Sequence, residues 1–250
     1  MIHLERCELP YGARGVLSGR DLDGPALPVG APGNLAHRRP HRPADLAGAR
    51  REVAAATDTE VASWHLLHQV HGAAVARVDA TVPAGTELRG VDAAVTALTD
   101  RPLVVQTADC VGVLLAAPGA VGVAHAGRAG VLEGVVPAAV TALRELASHP
   151  QVVAVLGPAI GGCCYEVPVA MRAAAEERCP GIGATTTWGT PSLDLPAAVR
   201  RQLAAVDVEV VGSPAPCTYT DERFFSHRRD PASGRQVGLI VRSERVGSAS

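Results

Sequence analysis

The sequence predicts a mixed α/β (α+β) protein with at least one mixed sheet, and three observations carry that reading. Short Val- and Leu-rich runs of strand length lie between residues 91 and 125 and again at 152–156 and 237–241. Between them, apolar residues recur at three and four positions, as Val131, Val135, Ala138, Ala139, Ala142, Leu143 and Leu146 do. The third observation is negative: strands and helices mingle without strict alternation, GIG at 181–183 does not complete a GxGxxG fingerprint, and no GxSxG elbow occurs.

Taken in order, the first ten residues carry Glu5, Arg6 and Glu8 where a signal peptide needs an apolar stretch, and no run of about 18 apolar residues follows. A cytoplasmic chain is expected. Residues 19–43, rich in Gly, Pro, Arg and His, read as loop, and residues 44–56 favour a helix. HLLHQVHG (65–72) and AAVARVDA (73–80) read as strand, turn, strand. Residues 91–125, broken at Thr99-Asp100, Asp109 and Pro118-Gly119, are the heart of a sheet. Residues 130–148 are predicted helical, with Pro137 bending or restarting the helix. VVAVL (152–156) is a buried strand running into a Gly-rich turn, followed by helices over 169–179 and 194–205 and by strands VEVV (208–211) and VGLIV (237–241). The tail VGSAS is expected to fray.

Composition narrows the chemistry. With 250 residues and 47% hydrophobic against 19% charged content, the chain can fill a sizeable core. All 23 basic residues are arginines, set against 25 acids for a net charge of −2, so bulk charge indicates no polyanion-binding surface. The absence of lysine excludes Schiff-base chemistry, pyridoxal-phosphate anchoring and a Walker A loop, each of which needs an amine. Cys7, Cys110, Cys163, Cys164, Cys179 and Cys217 are too thinly spread for a disulfide scaffold. Aromatics at 3% leave little for stacking on single-stranded nucleic acid.

A metal centre is suggested by residues 107–127. If Ala116 to Gly119 form a four-residue hairpin loop, Leu115 pairs with Ala120 and Cys110 falls opposite His125, with Cβ atoms about 4.5–5.5 Å apart. A thiolate and an imidazole at that separation can share one Zn²⁺. A third ligand is sought among His65, His68 and His71. The H-x-x-H spacing puts both imidazoles on one side of a helix but on opposite sides of a strand. The strand reading leaves one of them to join Cys110 and His125, giving three ligands and an open position, as catalytic zinc sites have. The competing reading makes Cys110 and His125 packing residues. GPAIGGCCYEV (157–167) is either a strand-to-helix turn that needs its glycines or a pocket lining over 159–164, with Cys163 and Cys164 divided between packing and the site. Arg228 and Arg229 are either surface charges paired with Asp221 or Asp230 or, in a lysine-free chain, anion binders.

HQVHG (68–72), TADCVGVLLA (107–116), VAHAGRAG (123–130), LGPAIGGCCYEV (156–167), LDLPAAVRRQL (193–203) and CTYTDERFFSHRRDPASGRQ (217–236) resemble, in this order, the motifs of the YfiH-like laccase-domain family. Members of that family have been called multicopper polyphenol oxidases and purine nucleoside phosphorylases. The resemblance implies one domain over residues 1–250, with 60–241 as its matched core and 1–59 a weakly matched N-terminal part. It implies a layered α/β/β/α sandwich with mixed sheets and a Zn²⁺, or alternatively copper, held by His71, Cys110 and His125. Arg20, from VLSGR, joins those three as a catalytic residue, and His68, Arg128, Gly161, Cys163, Tyr165, Arg228 and Arg229 surround the substrate. The usual GGVS stretch is absent, and the family's HAGWRG reads HAGRAG here, a change at Arg128 and Ala129 that bears on substrate affinity and specificity.

The implied activity is zinc-dependent purine nucleoside phosphorolysis, splitting adenosine, inosine or methylthioadenosine with phosphate into free base and ribose 1-phosphate, with adenosine deamination as a side activity. Nucleoside and phosphate are then the partners, with neither nucleic acid nor membrane. Three readings compete. A copper-dependent phenol oxidase needs more histidines in HxH pairs than nine scattered ones supply. A cysteine hydrolase, an amidase editing cell-wall precursors, would use Cys110 as nucleophile and His125 as base. A binding protein without activity would follow from HAGRAG.

Overall fold

The computed structural model describes residues 1–24 and 29–243; the tail VGSAS lies outside the described residues. In chain order the elements are β1 (Leu4–Glu8), β2 (Ala13–Ser18), α1 (Pro43–Thr57), β3 (His65–His68), β4 (Val75–Arg77), β5 (Leu88–Arg89), β6 (Ala93–Thr96), β7 (Leu103–Thr107), β8 (Val111–Ala117) and β9 (Ala120–Ala126). There follow α2 (Arg128–Glu133), α3 (Val135–Arg144), β10 (Val152–Leu156), α4 (Val169–Arg178), β11 (Gly183–Thr185), β12 (Pro191–Leu193), α5 (Leu195–Ala204), β13 (Val208–Val210) and β14 (Gln236–Arg242). The very short strands β5, β11 and β12 and the N-terminal β1–β2 hairpin carry too little alternation to be read from sequence.

Two six-stranded mixed sheets form, ordered β1-β2-β14-β7-β3-β5 and β13-β10-β8-β9-β6-β4. They pack face to face. Leu103, Val105 and Ile240 of the first meet Leu114, Ala116, Val123 and Val155 of the second. Alternate residues turn outward. Val104, Val237 and Leu239 lie under α1 with Trp64, whereas Val113, Leu115, Ala154 and Leu156 lie under α3 and α5. The result is the α/β/β/α sandwich. Because both faces of β8, β9 and β10 are covered, these strands read as continuous apolar runs rather than alternating ones.

Local corrections follow from turn chemistry. The helix expected over 130–148 is two helices, divided at Gly134, whose φ of 84° takes the left-handed conformation a helix end favours. Pro137 therefore falls in the first turn of α3, where its missing N–H costs no intrahelical bond. Asp194 is not the first helical residue but the cap, its side chain accepting from the Ala197 N–H at 2.9 Å. The hairpin loop after β8 has two residues, not four. Pro118 and Gly119, the latter at φ 86°, close the turn directly onto the pair Ala117–Ala120. Leu115 thus pairs with Gly122, His125 lies opposite Gly112, and Cys110 falls one residue beyond Val111, the first paired position of β8.

Candidate metal centre

β6 and β9 are antiparallel neighbours, and their pairing sets Asp92, just before β6, beside His125 near the end of β9. The His125 backbone N–H donates to the Asp92 carbonyl at 2.6 Å, and its ring Nδ1 lies 2.8 Å from Asp92 Oδ1. The same carboxylate, fully buried, accepts N–H bonds from Val70, His71 and Gly72 at 3.1, 2.9 and 2.8 Å. One side chain thus orients one imidazole and holds the turn that carries another. His71 sits in that turn with φ 64°, after β3 has ended at His68. Gln69 continues the pairing past the strand end, donating to the Gln106 carbonyl at 2.7 Å and accepting from its N–H at 2.9 Å.

The donor atoms of His71, Cys110 and His125 lie within 4.8 Å of one another, and the two imidazole rings meet edge to face at 4.8 Å between centroids. Donors on a common zinc stand roughly 3.5 Å apart, so the cluster is close to coordinating geometry. Gly127 explains how three such groups find room. A Cβ there would lie 2.9 Å from His71 Cδ2 and 3.1 Å from Cys110 Sγ, inside the cluster. The Asp92–His125 bond is the carboxylate–imidazole pairing that fixes the tautomer of metal-bound histidines, leaving Nε2 as the donor.

The electrostatics agree. Burial pushes the Cys110 thiol up, but the His125 charge and hydrogen bonds from His125 and His71 outweigh it and bring Cys110 down to about 6. Burial pulls the His125 imidazolium down, but Cys110 and Asp92 outweigh it and raise it to about 9. Burial likewise pushes the Asp92 carboxyl up, while bonds from His125, Gly72 and Val70 hold it below the usual carboxylate range.

A cavity of about 560 Å³ opens on this cluster. Of the residues singled out in the sequence, His68, His71, Cys110, His125, Arg128, Tyr165 and Arg228 line it. Tyr165 joins two of them: its ring lies 4.9 Å from the Arg228 guanidinium, and the Arg128 charge acts on its hydroxyl. Burial pushes that hydroxyl's pKa up. His68 Nδ1 is buried with no partner.

Five sequence-derived candidates lie elsewhere. Arg229 lies outside the cavity lining and its bonds go to neither Asp221 nor Asp230 side chains; its guanidinium is taken up by the carbonyls of Thr218, Tyr219 and Phe224, and Asp221 pairs with Arg223 instead. Arg20 donates to the Glu222 carbonyl at 3.2 Å and lies 5.7 Å from the Phe225 ring centroid, outside the cavity lining. Gly161 and Cys163 are also outside the lining, beside Cys217. His65, buried at the start of β3, places its Nδ1 by the Thr86 carbonyl and is no part of the cluster.

Sequence reasoning missed Asp92, Gly127, Arg39 and Arg235. Asp92 had a signal, an acid interrupting the apolar run Val91–Val95. Arg39 and Arg235 had none. Both line the cavity and make their short contacts to backbone carbonyls of residues 231–234 rather than to carboxylates. Burial and then the Arg39 charge lower the Arg235 pKa, so two positive groups are held near one another. Asp109, at φ 93°, ties the site together: it accepts from Thr218 Oγ1 at 2.6 Å and from the Arg228 N–H at 2.7 Å.

Fold and site together define a member of the multi-copper polyphenol oxidoreductase laccase family, to which this chain belongs, matching it over residues 24–243. Similar relatives are two proteins named purine nucleoside phosphorylase. One, from Streptomyces griseus, is 46% identical over 199 residues, covering 77% of this chain and 80% of that one. The other, from Streptomyces coelicolor, is 47% identical over 199 residues, covering 77% and 81%. Among solved structures, YlmD from Geobacillus stearothermophilus matches with a TM-score of 0.82 at 30% identity over 97% of both chains. YfiH from Bacillus licheniformis matches at 0.77 and 26% over 92% of both. No helix among the described residues is long and apolar enough to cross a membrane.

Proposed function

We propose that this chain is a zinc-dependent purine nucleoside phosphorylase acting on adenosine, inosine or methylthioadenosine with phosphate, with adenosine deamination as a side activity. The observation that carries this reading is the convergence on one cavity of three metal donors and several arginines. The donor set of one thiolate and two imidazoles, the carboxylate behind His125 and the space kept by Gly127 suit zinc. The names of the two Streptomyces relatives support the same activity.

When bound, zinc supplies a Lewis acid with a position open to the substrate. The chain's own residues bind and orient. Arg39 and Arg235, held by carbonyls and with no close carboxylate partner among the described residues, offer their remaining N–H groups to phosphate. A phosphate oxygen attacks the ribose C1′ as the bond to the base nitrogen breaks, and the base leaves with the bonding pair and takes up a proton. Tyr165 with Arg228 presents a flat wall for the purine, and His68 Nδ1 is free to meet a substrate polar group.

One observation favours a second reading. Cys110, His125 and Asp92 stand in the order nucleophile, base and orienting carboxylate that a cysteine amidase uses. The two readings separate on incubation with adenosine and phosphate, followed by chromatography for adenine and ribose 1-phosphate and by metal analysis for zinc and copper. The phosphorylase yields both products, requires phosphate, and loses turnover on chelation or in Cys110→Ser. Amide hydrolysis that survives chelation, with no phosphorolysis, selects the amidase. Phenol oxidation with bound copper selects the oxidase.

A further inference from the structure

A second group of soft donors lies outside the cavity lining. The sulfurs of Cys163, Cys164 and Cys217 fall within 4.8 Å of one another, and those of Cys163 and Cys164 are 3.1 Å apart. They come from two distant segments brought together by backbone pairing. Ala159 and Cys217 form a parallel bridge, the Ala159 N–H donates to the Pro216 carbonyl at 3.3 Å, and the Thr218 N–H donates to the Ala159 carbonyl at 3.1 Å. Asp109 anchors the same strip through Thr218.

Burial pushes the Cys163 and Cys164 thiols up, so an ion must displace their protons, whereas Cys217 is the sulfur placed to lose its proton first. The Gly161 N–H points at Cys217 Sγ from 3.3 Å. Donors aimed at sulfur stabilise negative charge there. Cys163 and Cys217 are part-exposed, which gives an ion a way in, while Cys164 is buried.

A disulfide between the neighbours fits less well. Adjacent Cα atoms stand about 3.8 Å apart across a trans peptide, below the roughly 4.4–6.8 Å that disulfides favour. The 3.1 Å between sulfurs is also well beyond a bond of about 2.05 Å. Thiolates on a common tetrahedral ion stand roughly 3.8 Å apart, a spacing that small rotations of these side chains reach. No imidazole or carboxylate belongs to the group, and a set of thiolates alone selects soft d¹⁰ cations over hard ones.

We propose that Cys163, Cys164 and Cys217 form a second metal site, distinct from His71, Cys110 and His125, which takes a thiophilic d¹⁰ cation such as Zn²⁺ or Cu⁺ through three thiolates. The ion clamps the turn at residues 161–164 to the strip at 217–220 and so steadies Tyr165, the next residue along the chain and part of the cavity wall. Binding releases the thiol protons to solvent and requires no electron transfer.

The test uses the full chain, reduced and under anaerobic conditions, with Zn²⁺ as the first probe and Cu⁺ as the second. In the unaltered chain, either ion should protect Cys163, Cys164 and Cys217 from alkylation, read by peptide mass mapping. Cys110→Ala should still take up one ion per chain, and adding Cys217→Ser should abolish that uptake. With Cd²⁺ as a reporter, thiolate-to-metal absorption should persist in Cys110→Ala and vanish in the double variant. Equal alkylation of the three cysteines with and without both ions overturns the proposal, and this arm requires no variant to fold. A Cys163–Cys164 disulfide that persists in reducing buffer also overturns it, as does unchanged uptake in the double variant.

Discussion

One part of the cavity is built on the sheet and another on loops. Asp92 and His125 stand at or just beyond strand ends, fixed by ladder bonds, and the buried Asp92 carboxylate also fixes the turn that carries His71. Arg39 and Arg235 lie in segments without helix or strand, fixed by carbonyls of the chain beside them. Coordination tolerates errors of only a few tenths of an ångström, whereas a guanidinium can meet an anion through several of its five donors. The rigid part is therefore suited to hold a metal, and the adaptable part to meet an anion.

The largest effect that sharpens this contrast is in pH. Cys110, held down to about 6, is already a thiolate at neutrality, but His125, raised to about 9, carries a proton that the metal must displace. Zinc affinity at His71, Cys110 and His125 should fall about tenfold per pH unit below 9, and about twice as steeply in logarithmic terms below 6, where the thiol also protonates. Competition titrations between pH 5.5 and 9.5 in Cys217→Ser, which isolates this centre, measure the slope. A flat profile removes the imidazolium from the account. In the metal-free protein, the His125 contribution to stability is full below its ordinary 6.5 and disappears as pH rises through about 9. The Cys110 contribution is full above its ordinary 9.0 and disappears as pH falls through about 6.

Asp92→Asn comes next. It keeps the shape but gives up the charge that holds His125 and the turn at residues 70–72, so zinc affinity should fall about 10- to 100-fold. Dialysis against a competing chelator tests it, and unchanged affinity would mean that the strands alone position the ligands. On the loop side, Arg39→Ala or Arg235→Ala should raise the Michaelis constant for phosphate about tenfold, for loss of a charged contact of roughly 1.5 kcal/mol. Arg229→Ala should instead leave that constant alone and lower stability by about 1–3 kcal/mol, because three carbonyls lose their donor. The smallest effect belongs to HAGRAG. Arg128→Trp with Ala129→Arg should raise catalytic efficiency with adenosine several-fold, about 1 kcal/mol in transition-state binding. Unchanged efficiency in a folded, zinc-loaded double variant would remove residues 128 and 129 from purine recognition.

The same division explains what could be read from the sequence. The central strands show as continuous apolar runs because both their faces are buried, α1 shows in its composition and α3 in its apolar spacing, and His71, Cys110 and His125 show in their motifs. The hairpin register did not, because Pro118-Gly119 can close a two-residue turn or lie inside a longer one with no change in composition. With the two-residue turn, Cys110 and His125 meet as a diagonal rather than a directly opposed pair. Arg228 and Arg229 are neighbours of one type, yet one lines the cavity and the other is consumed by carbonyls of residues 218–224. Such a distinction is made by backbone path alone, as are the arrivals of Arg39 and Arg235 from opposite ends of the chain.

The early end of β8 has a mechanical consequence. Since pairing begins at Val111, the thiolate of Cys110 is delivered by the bend at residues 108–110, outside the hydrogen-bonded grid. A movement of Cys110 would therefore load that bend before the sheet that carries His125. The bend is not idle, however, because the Asp109 carboxylate within it grips the Arg228 backbone N–H. A displacement of Cys110 would thereby reach an arginine of the cavity wall.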